Sequence, residues 1–259
     1  MNIIGISAFY HNLAASLFIN GELVGAIEEE RISRKKFDAS FPELSLNNLL
    51  SKNNLTPQDI DLVCYYEIPK DKLKRQFSMV STVDKIPYSK FFNQYYSPER
   101  NIKSYFGEGE KIEYSKHHMS HIAFSFYASG FKESTFLIAD AVGEEDSLAY
   151  GHINSKGEID YHTIKFPHSV GMLYSTFTEY LGYRVNSDEY KVMGLAAYGE
   201  PVYLKELEKL IQNKNLNEFA LNLNYFEFND YFHRKTFSKE LEELILLKPL
   251  KDISKLTKE

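Results

Sequence analysis

The chain of 259 residues has no tryptophan, a single cysteine and no excess of basic residues. A lone cysteine cannot close an internal disulfide, so the fold must rest on its core, as expected in a reducing compartment. Cys64 lies in the apolar stretch Leu62-Val63-Cys64-Tyr65-Tyr66, which favours a buried structural thiol over a nucleophile. The formal net charge is −6. A general nucleic-acid grip needs a basic face, so no nucleic-acid partner is expected, although a small basic pocket for phosphate is still allowed. No apolar run approaches the roughly 20 residues of a membrane-spanning helix. The N-terminus, Met1-Asn2-Ile3-Ile4-Gly5, lacks the basic region and cleavage pattern of a secretory signal. Together these absences predict a cytoplasmic protein without a membrane partner. The missing tryptophan decides nothing about function. What is present is ordinary for a globular chain, 43% hydrophobic and 25% charged residues, with length for one large domain or two smaller ones.

The first thirty residues read as three strands, 2–7, 14–19 and 22–28, with Asn20-Gly21 as a tight hairpin turn. A polar, basic loop is expected at 29–36. Pro42 then opens a helix through Leu50, and Thr56-Pro57-Gln58-Asp59 caps a turn before a strand at 62–66. The same order recurs: strands at 135–140, 147–154 and 159–166, then a helix at 169–181. Such a repeat, about 130 residues apart, suggests duplication. Two units of this kind facing each other across a cleft describe an α/β fold, the actin-like, sugar-kinase-like ATPase (ribonuclease H-like) duplicated fold. The expected layout is a first subdomain at 1–134, with a helical insertion at about 70–109 and a metal-binding helix at about 116–129. A second subdomain at 135–259 follows. Its tail reads as a helix at 203–211, an aromatic-rich strand near 219–228 and an amphipathic helix at 238–247, with a polar end and no closing strand, so this unit is expected to be incomplete.

His117 and His121 are four residues apart. On a helix they lie about 40° apart around the axis and one turn apart along it, so two imidazoles share a face and can grip one cation. Asp140 closes the apolar run Phe136-Leu137-Ile138-Ala139, which reads as a buried strand, and adds a carboxylate. His118 points away and is read as an outer-shell or structural residue. Imidazole and carboxylate donors suit Fe, Zn or Mn, and spacing alone does not choose among them.

Five segments, in order from the first strand to position 201, carry a resemblance. They are Gly5 to Ser16 (GISAFYHNLAAS), Glu28 to Lys36 (EEERISRKK), His117 to Ala123 (HHMSHIA), Phe166 to Tyr174 (FPHSVGMLY) and Asp188 to Pro201 (DEYKVMGLAAYGEP). This ordered set resembles the ATP-dependent O-carbamoyltransferases of the NodU, CmcH and TobZ type, in their N-terminal, TsaD-like domain. The resemblance implies an enzyme whose C-terminal adenylate-forming domain joins carbamoyl phosphate and ATP into carbamoyl-adenylate. Its N-terminal domain, beside Fe(II), then passes the carbamoyl group to the hydroxyl of a small-molecule acceptor such as a sugar, an antibiotic core or a nodulation factor. The chain matches the N-terminal domain only, so the adenylate-forming domain is expected to be missing from it. The resemblance places His117, His121 and Asp140 as metal ligands, with a fourth ligand, an Asp, beyond residue 259. It also puts Ala141 where the family usually has Gly.

The same resemblance places His11 and Asn12 at the phosphate end of the site, with Asn12 in place of the usual Asp. His11 and Lys191 are the candidate catalytic residues, one for acid-base work and one to neutralise the adenylate. Asn12, Arg31, Gly143, Glu189 and Gly194 are the candidate cofactor-binding residues. Each also has a plainer reading: a turn for His11 and Asn12, a solvated face for Arg31, an acidic turn for Gly143 to Asp146 and a surface pair for Glu189 and Lys191. The expected cofactors are Fe(II) or another divalent metal, ATP or carbamoyl-adenylate, and Mg2+ with the nucleotide. Two alternatives are open: a catalytically incomplete fragment that only binds nucleotide or metal, and a sugar-kinase-like phosphotransferase of the same superfold.

Overall fold

Strict alternation sets the first strand. In β1 (Asn2–Ser7), Ile4 and Ile6 are buried while the positions beside them are partly exposed. The computed structural model describes residues 1–10, 12–79, 88–213, 218–228 and 235–250. β2 (Ala14–Ile19) returns antiparallel, with Asn2 opposite Ile19 and Ile6 opposite Ala15. The hairpin turn is formed as expected: Asn20 and Gly21 take φ of 52° and 88° and lead into β3 (Glu22–Glu28).

The stretch expected to be a basic loop instead starts with a short helix, α1 (Glu29–Ser33). The reason is long-range. Glu29 is buried, and its carboxylate accepts the Leu44 N–H at 3.0 Å, the Ser45 N–H at 2.8 Å and the Ser45 hydroxyl at 2.6 Å. These donors open α2 (Glu43–Lys52), whose first turn has N–H groups without intrahelical partners and a dipole that favours an anion. A capping box between Thr56 and Asp59 then closes a single 3-10 turn, Pro57–Asp59.

β4 (Leu62–Tyr65) runs parallel to β1, with Ile4 beside Val63. After α3 (Pro69–Ser78) and α4 (Tyr88–Phe106), β5 (Ile112–Tyr114) adds a second parallel neighbour beside β4. The sheet order is β3-β2-β1-β4-β5. An antiparallel hairpin followed by parallel crossovers is the ribonuclease H-like order expected of this chain. Ile4, Leu17, Leu46, Val63 and Ile102 are fully buried where α2 and α4 cover one face of this sheet. Each such side chain stabilises the fold by about 1.5–3 kcal/mol.

α5 (His117–Ser129) precedes a second, antiparallel sheet of β6 (Ser134–Ala139), β7 (Asp146–Ile153) and β8 (Ile159–Lys165), in the order β6-β7-β8. α6 (Val170–Tyr180), α7 (Glu189–Ala196) and α8 (Leu204–Leu207) follow. The helix expected at 203–211 is cut short: after a 3-10 turn, Ile211 starts β9 (Ile211–Asn213), which pairs with β10 (Ala220–Leu221). The expected strand at 219–228 is only those two residues of β10, because Phe226 and Phe228 turn inward to join Tyr180, Leu210, Leu221 and Phe237 in a second core. α9 (Lys239–Ile245) is capped by Ser238, and its Leu241 and Ile245 complete that core. The polar tail from 251 lies outside the described residues.

By contacts the chain divides into two compact units, Met1–Gln76 with Lys85–Ser120, and Phe77–Asp84 with His121–Glu259. The division falls inside α5, a continuous helix. No helix among the described residues is long and apolar enough to cross a membrane.

Candidate metal centre

Asp140 is the first residue after β6, and its backbone is held tightly. Its N–H donates to the Ser147 carbonyl of β7 at 3.0 Å, and its own Oδ1 accepts the Ala141 N–H at 2.6 Å. Ser169, the N-cap of α6, accepts the Met172 N–H at 3.0 Å and donates its hydroxyl to the carbonyls of Asp140, at 3.0 Å, and Ala141, at 2.7 Å. Gly171 lies flat against the same peptide. A Cβ on it would sit 2.5 Å from the Asp140 carbonyl oxygen and 2.6 Å from the Ala141 nitrogen. Sequence reading missed the Ser169–Gly171 clamp. The segment Phe166 to Tyr174 stood out as a motif, but nothing local shows that its serine and glycine serve a carboxylate some thirty residues earlier.

His121 faces Asp140, with Nε2 3.9 Å from Oδ2; the His side chain is 49% exposed and the Asp side chain 27%. His117 lies one turn earlier on the same helix. Its ring is 5.4 Å from that of Tyr66, the residue after β4, and Ser120 donates its hydroxyl to the Tyr66 carbonyl at 3.1 Å. One donor atom from each of His117, His121 and Asp140 lies within 4.8 Å of the others. Metal–nitrogen and metal–oxygen bonds of about 2.0–2.2 Å bring neighbouring donors to roughly 3–4 Å, and the His121–Asp140 pair is already at that spacing. Two imidazoles and a carboxylate fit Fe, Zn or Mn. His118 is buried, in keeping with a structural place.

The remaining candidates lie elsewhere on the chain. His11 lies outside the described residues. Asn12, with φ 55°, is exposed in the connection between β1 and β2. Arg31 is on α1, its side chain 69% exposed and 3.3 Å from Glu28. Gly143 is buried in the β6–β7 connection, where its N–H donates to the Asp146 carbonyl. The acidic residues after it are tied to β8, since Lys165 lies 2.7 Å from Asp146 and 3.5 Å from Glu145.

Glu189, Lys191 and Gly194 share α7. Glu189 accepts the Ser175 hydroxyl at 2.9 Å and the Asn186 N–H at 2.7 Å, which ties α7 to α6. Lys191 bonds Asp188 at 2.8 Å and lies over the rings of Tyr183 and Tyr190. That hydrogen bond raises the Lys191 ammonium and lowers the Asp188 carboxyl, so Lys191 offers charge and not a free base. Gly194 is exposed, with open space where a Cβ would stand. Cys64 is half-buried, and burial pushes its thiol up, as expected of a structural thiol.

The sequence family described as Carbamoyltransferase N-terminus matches residues 2–248. A protein of Synechocystis named "Uncharacterized protein sll1178" is 34% identical over 245 residues, covering 88% of this chain and 40% of that protein. The nodulation protein NolNO of Sinorhizobium fredii is 32% identical over 213 residues, covering 78% of this chain and 30% of that protein. The chain therefore spans well under half the length of these relatives. Among solved structures, YeaZ from Pseudomonas aeruginosa is a loose likeness, with TM-score 0.34 and 7% identity over 63% of this chain and 67% of that one.

Proposed function

The chain belongs to the carbamoyltransferase N-terminal family, and from that premise we propose that it is the transfer half of an ATP-dependent O-carbamoyltransferase. The observation that carries the reading is the convergence of His117, His121 and Asp140 at the end of β6. In this reading the substrate is carbamoyl-adenylate, made from carbamoyl phosphate and ATP by an adenylate-forming domain that acts as partner. The acceptor hydroxyl attacks the carbamoyl carbon, the bond from that carbon to the phosphate oxygen breaks, and AMP leaves with the electron pair. His11 is the proposed base for the hydroxyl proton. Lys191, with its ammonium kept charged by Asp188, is the proposed neutraliser of adenylate charge, and Asn12, Arg31, Gly143, Glu189 and Gly194 are the proposed nucleotide contacts.

His117, His121 and Asp140 are proposed to hold Fe(II) or another divalent ion. When bound, such an ion supplies a Lewis acid for the carbamoyl carbonyl or a phosphate oxygen. The clamp on the Asp140 backbone from Ser169 and Gly171 is proposed to orient its carboxylate as a donor. The acceptor is proposed to be a small hydroxyl compound.

The test joins metal content to turnover. The purified chain is expected to hold about one transition-metal ion. His121→Ala and Asp140→Ala are each expected to weaken metal binding by at least ~100-fold, more than the loss of an outer-shell group. With synthetic carbamoyl-adenylate and a panel of sugar acceptors, the wild type releases AMP with formation of an O-carbamoyl product, and the two variants do not. A chain that binds no transition metal removes the site assignment. Metal binding without product supports the binding-only alternative.

A further inference from the structure

β1, β4 and β5 are parallel, so their carboxyl ends lie along one edge of the first sheet, the edge at which open α/β sheets receive ligands. Tyr10 lies beyond the end of β1, and Tyr66 and Glu67 follow β4. Glu67 is nearly out of water, and so is Lys72, on the first turn of α3: their side chains are 8% and 14% exposed, and Nζ lies 2.8 Å from Oε1. The ammonium also stands 5.3 Å from the centroid of the Tyr10 ring. Among the described residues, Lys72 is the only hydrogen-bond partner of the Glu67 carboxylate.

This arrangement works against stability in two ways. Taking both charges out of water is so costly that a well-packed apolar pair would serve the fold as well or better. A cation in the first turn of a helix also opposes the helix dipole. A lysine held by a carboxylate in such a place, beside the residues that follow β1 and β4, has a chemical use. In protein kinases a Glu–Lys ion pair holds the lysine against nucleotide phosphates.

We propose that Lys72 binds a phosphoryl group at the carboxyl ends of β1 and β4, with Glu67 as the positioning residue that holds the ammonium in place and Tyr10 covering its other side. The ligand class is a phosphate monoester, such as the AMP released when a carbamoyl group leaves an adenylate. The proposal deepens the transfer reading above and rests on it for the identity of the nucleotide. Loss of the whole phosphate contact is expected to cost about tenfold or more in affinity, as for other charge-assisted hydrogen bonds.

The test is calorimetric titration of the 259-residue chain, in chelator, with AMP, adenosine and inorganic phosphate. Lys72→Met keeps the length of the side chain and is expected to weaken AMP and phosphate at least ~10-fold while leaving adenosine unchanged. Lys72→Arg is expected to retain most of the affinity, and Glu67→Gln to weaken AMP by a few-fold. Thermal melts of each variant report folding separately. If Lys72→Met melts early, the Lys72→Arg and Glu67→Gln titrations carry the test. AMP affinity equal within twofold across the folded variants would mean the pair only ties α3 to β4, and would overturn the proposal while leaving the transfer reading intact. A wild type that binds neither AMP nor phosphate also overturns it. Phosphate binding that depends on Lys72, with no gain from the adenosine moiety, keeps Lys72 as an anion site and counts against the adenylate reading.

Discussion

The connections that leave β1 and β6 are two solutions to one problem. Each follows the first strand of a three-stranded antiparallel run, and in each a backbone carbonyl is pinned by a side-chain hydroxyl. After β1, Tyr65 donates to the Ala8 carbonyl at 2.8 Å. After β6, Ser169 donates to the Asp140 carbonyl at 3.0 Å. The source of the hydroxyl differs because the neighbours differ. β1 lies between β2 and β4, so a parallel strand can reach its end. β6 is an edge strand among the described residues, with Leu137 60% exposed and no residue of the strand buried, so the buried strand expected from its apolar run is not formed, and its end is held by the start of a helix. The cores differ in the same way. The first unit buries its aliphatic side chains against its sheet, whereas the second gathers aromatic ones around α6, α9 and the segments between. Repeated secondary structure therefore did not bring repeated packing.

The sharpest way to break this comparison is at Gly171. Gly171→Ala forces a Cβ into the Asp140 peptide and is expected to cost about 1–3 kcal/mol of stability, as overpacking does. Metal affinity should fall with it, because the carboxylate shifts. Urea unfolding read beside metal titration checks both, and an unchanged metal affinity would mean the clamp does not orient Asp140. Tyr65→Phe tests the other clamp. It removes one buried hydrogen bond and is expected to cost about 1 kcal/mol, with metal binding unaffected. A loss of metal there would show that the two connections are not independent.

The smallest effect is one of pH. His168 accepts the Leu221 N–H on Nδ1 at 3.2 Å, and burial lowers its pKa. The unfolded chain thus takes up the proton first as pH falls. The contribution of His168 to stability is full above its ordinary value of about 6.5 and is lost as pH drops through the lower folded value. His168→Asn should flatten the pH dependence of the second unit's unfolding below about pH 6.5 relative to wild type, followed by chemical denaturation at each pH. A wild-type curve without that slope would remove His168 as the titrating group.

Much of this was legible along the chain. Asn20-Gly21 is read as a turn because few residue pairs accept positive φ twice in succession. The His-x-x-x-His spacing is a property of helix geometry, so the two imidazoles could be placed on one face before any tertiary contact was known. Asp140 was legible because the apolar run before it ends abruptly. The Glu29 cap on α2, the Ser169–Gly171 clamp and the Lys72–Glu67 pair were hidden for different reasons. The partners of Glu29 lie fifteen and sixteen residues away, and those of Ser169 nearly thirty, so no local period links them. Glu67 and Lys72 are close in sequence, but only burial turns an ordinary pair of charges into a costly one.

By itself, then, the sequence determined the elements whose cause is local: the strands by alternation, the hairpin by its turn residues, the two-histidine face by helical spacing. It also carried the family, through motifs kept in order. Tertiary structure alone decided that α1 forms where a loop was expected, that Phe226 and Phe228 leave a strand to fill a core, and which charged groups lie out of water. Those outcomes depend on desolvation and on hydrogen bonds between distant segments, and both are set only when the chain has closed on itself.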